Sequence, residues 1–485
     1  MDTKKLRQKV LDLAIHGKLV KQDPNDEPAS ILLDRIRAEK ARLVKEGKIK
    51  KSDLIEKPIS EDEIPFEVPE GWEWVRLNDL AYFGGGKTPS MDNKLFWENG
   101  TNLWITSKDM KSSRIFDSQM KISDVALSDM QIYDAGTILM VTRSGILRRT
   151  LPLAILMKQA TVNQDLKTIS LTDTRLTDYI YISILAQEQF ILKEFHKDGT
   201  TVDSINFDKF KGILLPIPTL AEQHRIVKAV DELFEQIDII ERSEKELEEA
   251  ANKTRDKLLN LAIQGHLVPQ DPNEEPVSVL LERIRAEKAR LVKEGKLKKK
   301  DLEEKPISPD EIPFDIPEGW VWVRGNTVFL PMESTKPSGD KFVYIDVDAV
   351  NNKTNVIDNA KVLASSKAPS RASRKLHNHD ILFSMVRPYL KNIAYVDEMF
   401  ANAIASTGFY VITPTCGLFP MYLFYLVLSP YVVNGLNQYM KGDNSPSINN
   451  SHIEQFLFPL PPLSEQRRIV TKLEELLQEI DKLKA

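Results

Sequence analysis

The sequence predicts an α+β protein: two mixed, sheet-rich domains joined by a long antiparallel coiled coil with pseudo-two-fold symmetry. Three observations predict it. RIRAEKARLVKEG at 35–47 returns unchanged at 283–295, and the likeness runs outward both ways, with Leu11 recurring as Leu259 and Gly71 as Gly319, always 248 residues apart. LPIPTLAEQHRIVKAVDELFEQID from Leu215 returns as FPLPPLSEQRRIVTKLEELLQEID from Phe458, now 243 residues apart, while 77–214 and 325–457 show no such likeness. Between 221 and 264 there is no Pro or Gly, and apolar residues recur at steps of four and three. A duplicated frame around unlike inserts implies pseudo-symmetry and two different targets.

The elements follow in order. Leu6, Val10 and Leu13 make an apolar stripe that Gly17 stops. Pro28 and Pro276 suit a first helical position. Behind Pro28, Leu32, Ile36 and Leu43 form a narrow apolar face, and Arg35–Glu39 and Arg42–Glu46 can pair across a turn before Gly47. Residues 48–71, rich in Pro, Lys and Glu, read as an extended connector.

The first insert opens with WEWVRL and the turn FGGGKTPS, then gives short β-branched runs: LWITSKDM, AGTILMVTRSG, ATVNQDLKTISL. One helix is expected over 179–195, then a polar loop and a return strand, DGTTVDSINFDKFKGILLPIP. The second insert has FVYIDVDAV, HDILFSMVRPYLKNIAYV and IASTGFYVIT, a helix over 420–439, and GDNSPSINNSHIEQFLFPLP.

The long helix carries Ile226, Val230, Leu233, Ile237, Ile240, Leu247, Ala251, Leu258 and Leu261, with Glu244 and Thr254 as polar exceptions. About 43 residues make it roughly 65 Å long, and Gly265 ends it. The stripe recurs at Ile469, Leu473, Leu476, Ile480 and Leu483. By the two offsets Ala485 corresponds to Arg242 and Met1 to Glu249, so the two ends read as one long helix cut open. They are expected roughly 9 to 15 Å apart. The expected organisation is a helical region 1–70, an insert domain 71–218, a central helical spacer 219–318, a second insert domain 319–461 and a closing helix 462–485.

Bulk properties exclude several classes. At 485 residues, 42% hydrophobic and 28% charged, the chain is an ordinary multi-domain protein with a net charge of −5. No apolar run approaches the ~20 residues of a membrane span. MDTKKLRQKV lacks a signal-peptide core and Cys416 is the single cysteine, so a cytoplasmic location with neither disulfide nor zinc knuckle is expected. Charge is uneven: 35–51 carries eight basic residues against Glu39 and Glu46, whereas 241–249 is acidic.

No catalytic or metal constellation stands out. GGGKTPS from Gly84 misses the phosphate-loop pattern, because its required first glycine falls on Ala81. It reads as a Gly-rich turn or as a turn whose amides face a DNA phosphate. His377-Asn378-His379-Asp380 lacks partner ligands nearby and reads as a solvated turn. HExxH, GxSxG, GxGxxG and an Asn-Pro-Pro-aromatic tetrad are all missing from the sequence.

Polar loops on the inserts carry the functional signal. Arg and Asn read base edges, while Lys and Ser hold phosphates. Arg143, Ser144, Arg148 and Arg149 lie in TRSGILRR, Arg371, Arg374 and Lys375 in SRASRKL, and Arg387, Tyr389 and Lys391 in VRPYLKN. Lys87, Thr88, Ser107, Lys108, Asn163, Gln164, Thr200, Lys336, Lys441, Asn444 and Ser445 complete the DNA-binding candidates. Arg143 and Arg387 each follow an apolar strand and precede a turn residue, so both are expected to read bases. Lys87, Lys391 and Lys441 are expected on phosphates.

The chain resembles the specificity subunit of type I restriction–modification enzymes over nearly its whole length. Glu222-Gln223, Arg225-Ile226-Val227 and Glu465-Gln466, Arg468-Ile469-Val470 match the family's helix signature. Gly85-Gly86-Lys87-Thr88-Pro89-Ser90 matches its first-domain opening with one inserted Lys, and Asn163-Gln164-Asp165 its conserved turn; the second insert has neither. The resemblance implies a non-catalytic DNA-binding subunit whose two domains read the halves of a bipartite, asymmetric sequence in double-stranded DNA, with the coiled coil as a ruler. It implies two methyltransferase subunits carrying S-adenosylmethionine, and motor nuclease subunits using ATP and Mg, with no cofactor on this chain. A helical scaffold with protein-binding inserts, and the recognition portion of a fused restriction enzyme, are the alternatives.

Overall fold

The repeated words of the sequence fold the same way twice. The computed structural model describes residues 1–49, 57–199 and 202–483. Packing divides them into two units, Met1–Ser243 and Glu244–Ala485, and each repeated signature falls once in each unit.

In the first unit a helix, Thr3–Ile15, lies antiparallel to the start of the long helix, Leu220–Ile263. Arg7 pairs with Asp238 and Glu241, and the loop behind the helix brings Gln22 to Glu222. The N-terminal helix ends where the sequence places its stop. Gly17 has φ +65° and Lys18 N donates to Leu13 O at 2.9 Å, a left-handed C-cap that a side chain resists. A Cβ there would also meet Pro69 Cγ at 2.3 Å. Gly265 ends the long helix in the same way, against Pro317.

The expected stripe on the long helix is partly realised. Ile226, Val230, Ile237 and Ala251 are buried, whereas Leu233 and Leu247 are 39% and 42% exposed. An α-helix has 3.6 residues per turn, so a 3.5-residue pattern drifts around it. The neighbour Phe234 takes the inward place of Leu233, with the Arg7 guanidinium 5.0 Å from its ring centroid. Residues 241–250 are all exposed. The expected closeness of the chain ends involves Ala485, which lies outside the described residues.

The second frame helix is Ala29–Lys45 in one unit and Val277–Lys293 in the other. Pro28 and Pro276, with ψ near 145–150°, cap these helices from outside rather than occupying the first helical position. Leu32 and Ile36 are buried, each such side chain contributing about 1.5–3 kcal/mol before ordering costs. Arg42 pairs with Glu46 as expected and also with Glu39, while Arg35 turns to Glu27 at 2.7 Å. Lys40, 3% exposed, donates to Asn78 O at 2.6 Å, and Lys288 repeats this with Asn326 O.

The EQ signature explains itself in this frame. Glu222 is 1% exposed, and its carboxylate accepts from Trp72 Nε1 and Gln22 Nε2, both at 2.9 Å. Glu465 repeats this with Trp320 Nε1 at 2.9 Å and Gln270 Nε2 at 3.1 Å. Gln223 and Gln466 donate to the carbonyls of Pro218 and Pro461. Arg225 pairs with Asp26, and Arg468 with Glu274. A buried carboxylate is tolerated only when hydrogen-bonded, so one residue pins three separate segments of the frame.

Each insert is closed at its root by frame residues. Glu73–Arg76 pairs antiparallel with Leu214–Ile217, and Val321–Arg324 with Leu457–Leu460. Beyond this root the inserts share a topology that their sequences hide. In the first, the strand order is Ala81–Gly85, Leu166–Leu171, Ile138–Val141, Leu153–Leu156, Arg114–Ile115. In the second it is Phe329–Leu330, Phe409–Pro414, Ile381–Ser384, Ile393–Tyr395. Each also has a second sheet, three-stranded in the first and four-stranded in the second, with one parallel pair, Leu103↔Ala160 and Tyr344↔Ile404 respectively.

Both expected insert helices are broken in two. Thr177–Ala186 and Glu188–Glu194 are separated at Gln187, whose side chain donates to Leu214 O. Pro420–Leu428 and Pro430–Asn437 are separated because Pro430 lacks an N–H and forces Ser429 to ψ 149°. Among the described residues no helix is long and apolar enough to cross a membrane.

Candidate nucleic-acid interface

In the first insert the hairpin of Ile138–Val141 and Leu153–Leu156 carries a 3₁₀ turn, Gly145–Arg148, at its tip. Leu147, 1% exposed, anchors the turn, and Ile146 projects with 45% of its surface exposed. Arg143 bridges Ser204 through the backbone, and Ser144 N donates to Asp203 O at 3.0 Å, so the return loop lies against the tip. The Arg143 and Arg149 side chains are exposed, with no side-chain partner among the described residues.

Arg148 is differently placed. Its Nε donates to Asp203 Oδ2 at 2.5 Å, and Asp203 is wholly buried. The Arg148 hydrogen bond holds the Asp203 carboxyl below its ordinary value. His196, Asp198 and Asp203 could present ligand atoms within 4.8 Å of one another. The guanidinium already occupies Asp203, so the cluster braces the loop. Thr200 lies outside the described residues.

The second insert repeats the device with other residues. The hairpin of Ile381–Ser384 and Ile393–Tyr395 carries the 3₁₀ turn Pro388–Leu390. Arg387 and Lys391 flank it in the left-handed region, at φ 48° and 54°, a conformation costing non-glycine residues of order 1–3 kcal/mol. Three contacts hold it there. Arg387 N donates to Pro446 O at 2.8 Å, Arg387 Nη2 to Asn444 O at 2.6 Å, and Lys391 Nζ to Asp256 Oδ1 at 2.9 Å. Tyr389 is 48% exposed.

Backbone bonds put the two tips in register. Ile205 N donates to Thr142 O and Ile448 N to Met385 O; Leu147 N donates to Ser144 O and Leu390 N to Arg387 O. Each pair is 243 residues apart, the offset of the frame signature itself. Ser144 therefore corresponds to Arg387, Ile146 to Tyr389 and Arg148 to Lys391. The two arginines expected to read bases are not equivalent: Arg143 corresponds to Val386. Lys391, expected on a phosphate, has its ammonium paired with Asp256 of the long helix.

The other candidates divide by exposure. Lys87 and Thr88 are exposed, and Thr88 Oγ1 donates to Gln164 Oε1 at 2.6 Å, which joins the two first-insert motifs. The glycines before them serve close packing: a Cβ on Gly86 would lie 1.6 Å from Val162 O, and one on Gly84 2.2 Å from Tyr133 Oη. Asn163, 6% exposed, is spent on an Asx turn with Asp165. Ser107, Lys108 and Lys336 are exposed in loops, as are Lys441, Asn444 and Ser445 in the second return loop. Arg371 faces Asp346 at 3.5 Å and Lys375 pairs with Glu333. Arg374, half-buried, faces no carboxylate among the described residues, and burial lowers its pKa. In His377-Asn378-His379-Asp380, Asp380 is buried and accepts from Thr413 Oγ1 and His377 N. Its oxygens are used in holding that turn.

Sequence reasoning missed Ile146 and the two acids that brace Arg148 and Lys391. Only the turn-flanking cations marked Ile146, and Asp256 lies 135 residues from Lys391.

Residues 69–249 and 330–485 match the family described as the type I restriction modification DNA specificity domain. The chain belongs to that family. It is 30% identical to the type I restriction enzyme EcoAI specificity subunit of Escherichia coli, over 99% of this chain and 90% of that protein. It is 28% identical to the EcoEI specificity subunit of Escherichia coli over the same shares. A solved structure described as the structural basis of complex assembly and conformational transition of the type I R-M system aligns with TM-score 0.56 and 19% identity. The alignment covers 87% of this chain and 93% of that one, a likeness of fold. The role of this chain is thus DNA sequence recognition within a restriction–modification system, without catalysis of its own.

Proposed function

We propose that the two inserts read the unlike halves of one bipartite, asymmetric DNA sequence, one half each, and that the long helix sets the spacer. The observation that carries this is the pair of hairpin tips, matched in backbone hydrogen-bond register and different in side chain. Arg143 and Arg387 read base edges, Lys87 and Lys441 hold phosphates, and Thr88 with Gln164, Arg371 and Arg374 line the path.

The frame meets two copies of one partner. Arg35, Arg37, Arg42 and Lys45 are exposed and identical to Arg283, Arg285, Arg290 and Lys293. Folding does not demand identity at exposed positions, so the same ligand twice is the simplest reason for it. The ligand is a methyltransferase subunit bringing S-adenosylmethionine; motor nuclease subunits bring ATP and Mg, and the complex works in the cytoplasm. Sequencing of methylated adenines made by the assembled complex tests the proposal. Two dissimilar short motifs at fixed spacing are expected; a single continuous motif or a palindrome would refute it.

A further inference from the structure

We infer that Ile146 and Tyr389 are apolar base readers, each touching a base pair in the half-site of its own insert. The inference deepens the proposal above and rests on it. The two side chains occupy one structural position, two residues into the tip turn of each hairpin, and are 45% and 48% exposed. Neither exposure serves the fold, because Leu147 in one turn and Pro388 in the other supply the buried anchor.

The surroundings select the ligand. Ile146 stands between Arg143 and the Arg148–Arg149 pair, and Tyr389 between Arg387 and Lys391. Cations flanking projecting hydrophobes, Ile146 in one turn and Tyr389 beside the 38% exposed Leu390 in the other, suit a polyanion with an apolar interior. Duplex DNA is such a ligand, offering thymine methyls and base faces between its phosphates. A shared protein partner would favour the same residue twice, as on the frame helices, whereas isoleucine and tyrosine at one position suit two different base pairs. The turns are also rigid enough to discriminate. Arg148 is fixed to buried Asp203 and Lys391 to Asp256, so both act as positioning residues that aim the tip.

The test uses the full chain assembled with its methyltransferase subunits. Competition binding is measured on the cognate duplex and on duplexes substituted at each base pair of both halves. Ile146→Ala is expected to flatten discrimination about tenfold at one or two adjacent base pairs of one half. The other half and the salt dependence stay as they were. Tyr389→Ala should do the same in the opposite half. Equal weakening on all duplexes, failure to assemble with the methyltransferase, or unchanged discrimination would each overturn the inference. Thermal melting of each variant identifies a folding defect; Ile146→Val, which removes one methylene, and Tyr389→Leu, which stays apolar but loses the ring, should then still shift the preference at the same base pairs. A wild-type complex that showed no half-site preference would instead overturn the proposed function.

Discussion

Arg143 is exposed, lacks a side-chain partner among the described residues and leaves a sheet whose central strand is fully buried. Arg143→Ala should relax recognition in one half-site by about 1–3 kcal/mol with the salt slope nearly unchanged, and Arg387→Ala should act on the other. Binding series over salt, on cognate and half-scrambled duplexes, check this. Retained preference in both variants would exclude the two arginines. In the frame, Glu222→Ala strands the buried donor Trp72 Nε1 and removes the Gln22 Nε2 bond, and should destabilise the first unit by about 1–3 kcal/mol in denaturant unfolding. The acid limb has a named source as well. The Arg76 hydrogen bond holds Glu63 at about 2, and the Ser308 amide with Arg324 holds Glu311 at about 2, both from 4.5. A depressed carboxyl stabilises the fold above its unfolded value. That contribution disappears as pH falls from 4.5 towards 2. The Tm gap between wild type and a Glu63→Gln, Glu311→Gln variant should therefore close over that range. The Arg143 strand end was legible from ILMVT before a turn, because alternation and turn chemistry are local. The Arg148–Asp203 and Lys391–Asp256 pairs were not, because each joins residues distant in sequence.

The long helix was legible almost to the residue, Leu220–Ile263 against an expected 221–264, since it lacks Pro and Gly and ends on a left-handed glycine. Its buried face was less so: Phe234 rather than Leu233 turns inward, because that choice depends on Arg7 and the partner helix. Of the breaks in the insert helices, that at Gln187 goes with a long-range bond to Leu214 O, whereas Pro430 is a local stop inside an otherwise apolar run. Residues 241–250, exposed throughout, are the place to alter length without disturbing a core. Seven added residues extend the helix by about 10 Å at 1.5 Å each and keep the heptad face. At 3.4 Å per base pair the methylated motif should gain roughly three spacer positions with both halves unchanged. A change of base identity in either half would contradict the ruler.

Across the molecule, identity and difference are sorted by place. The frame repeats its exposed residues as well as its buried ones, and the inserts repeat a topology with hardly a shared word. The duplication was legible in the sequence because frame positions are pinned by packing, as the repeated Glu222 and Glu465 networks are. The common topology of the inserts was not, since strands need only apolar alternation and many sequences supply it. Both insert roots are zipped by frame strands, Glu73–Arg76 with Leu214–Ile217 and Val321–Arg324 with Leu457–Leu460, so an insert should transplant as a unit. The most direct measurement replaces 77–214 with the corresponding insert of a relative of known specificity and maps the methylated sites of the assembled complex. One half of the motif should become the donor's, with the other half and the spacer retained. A motif altered in both halves, or left unaltered, would contradict separate reading by the two inserts.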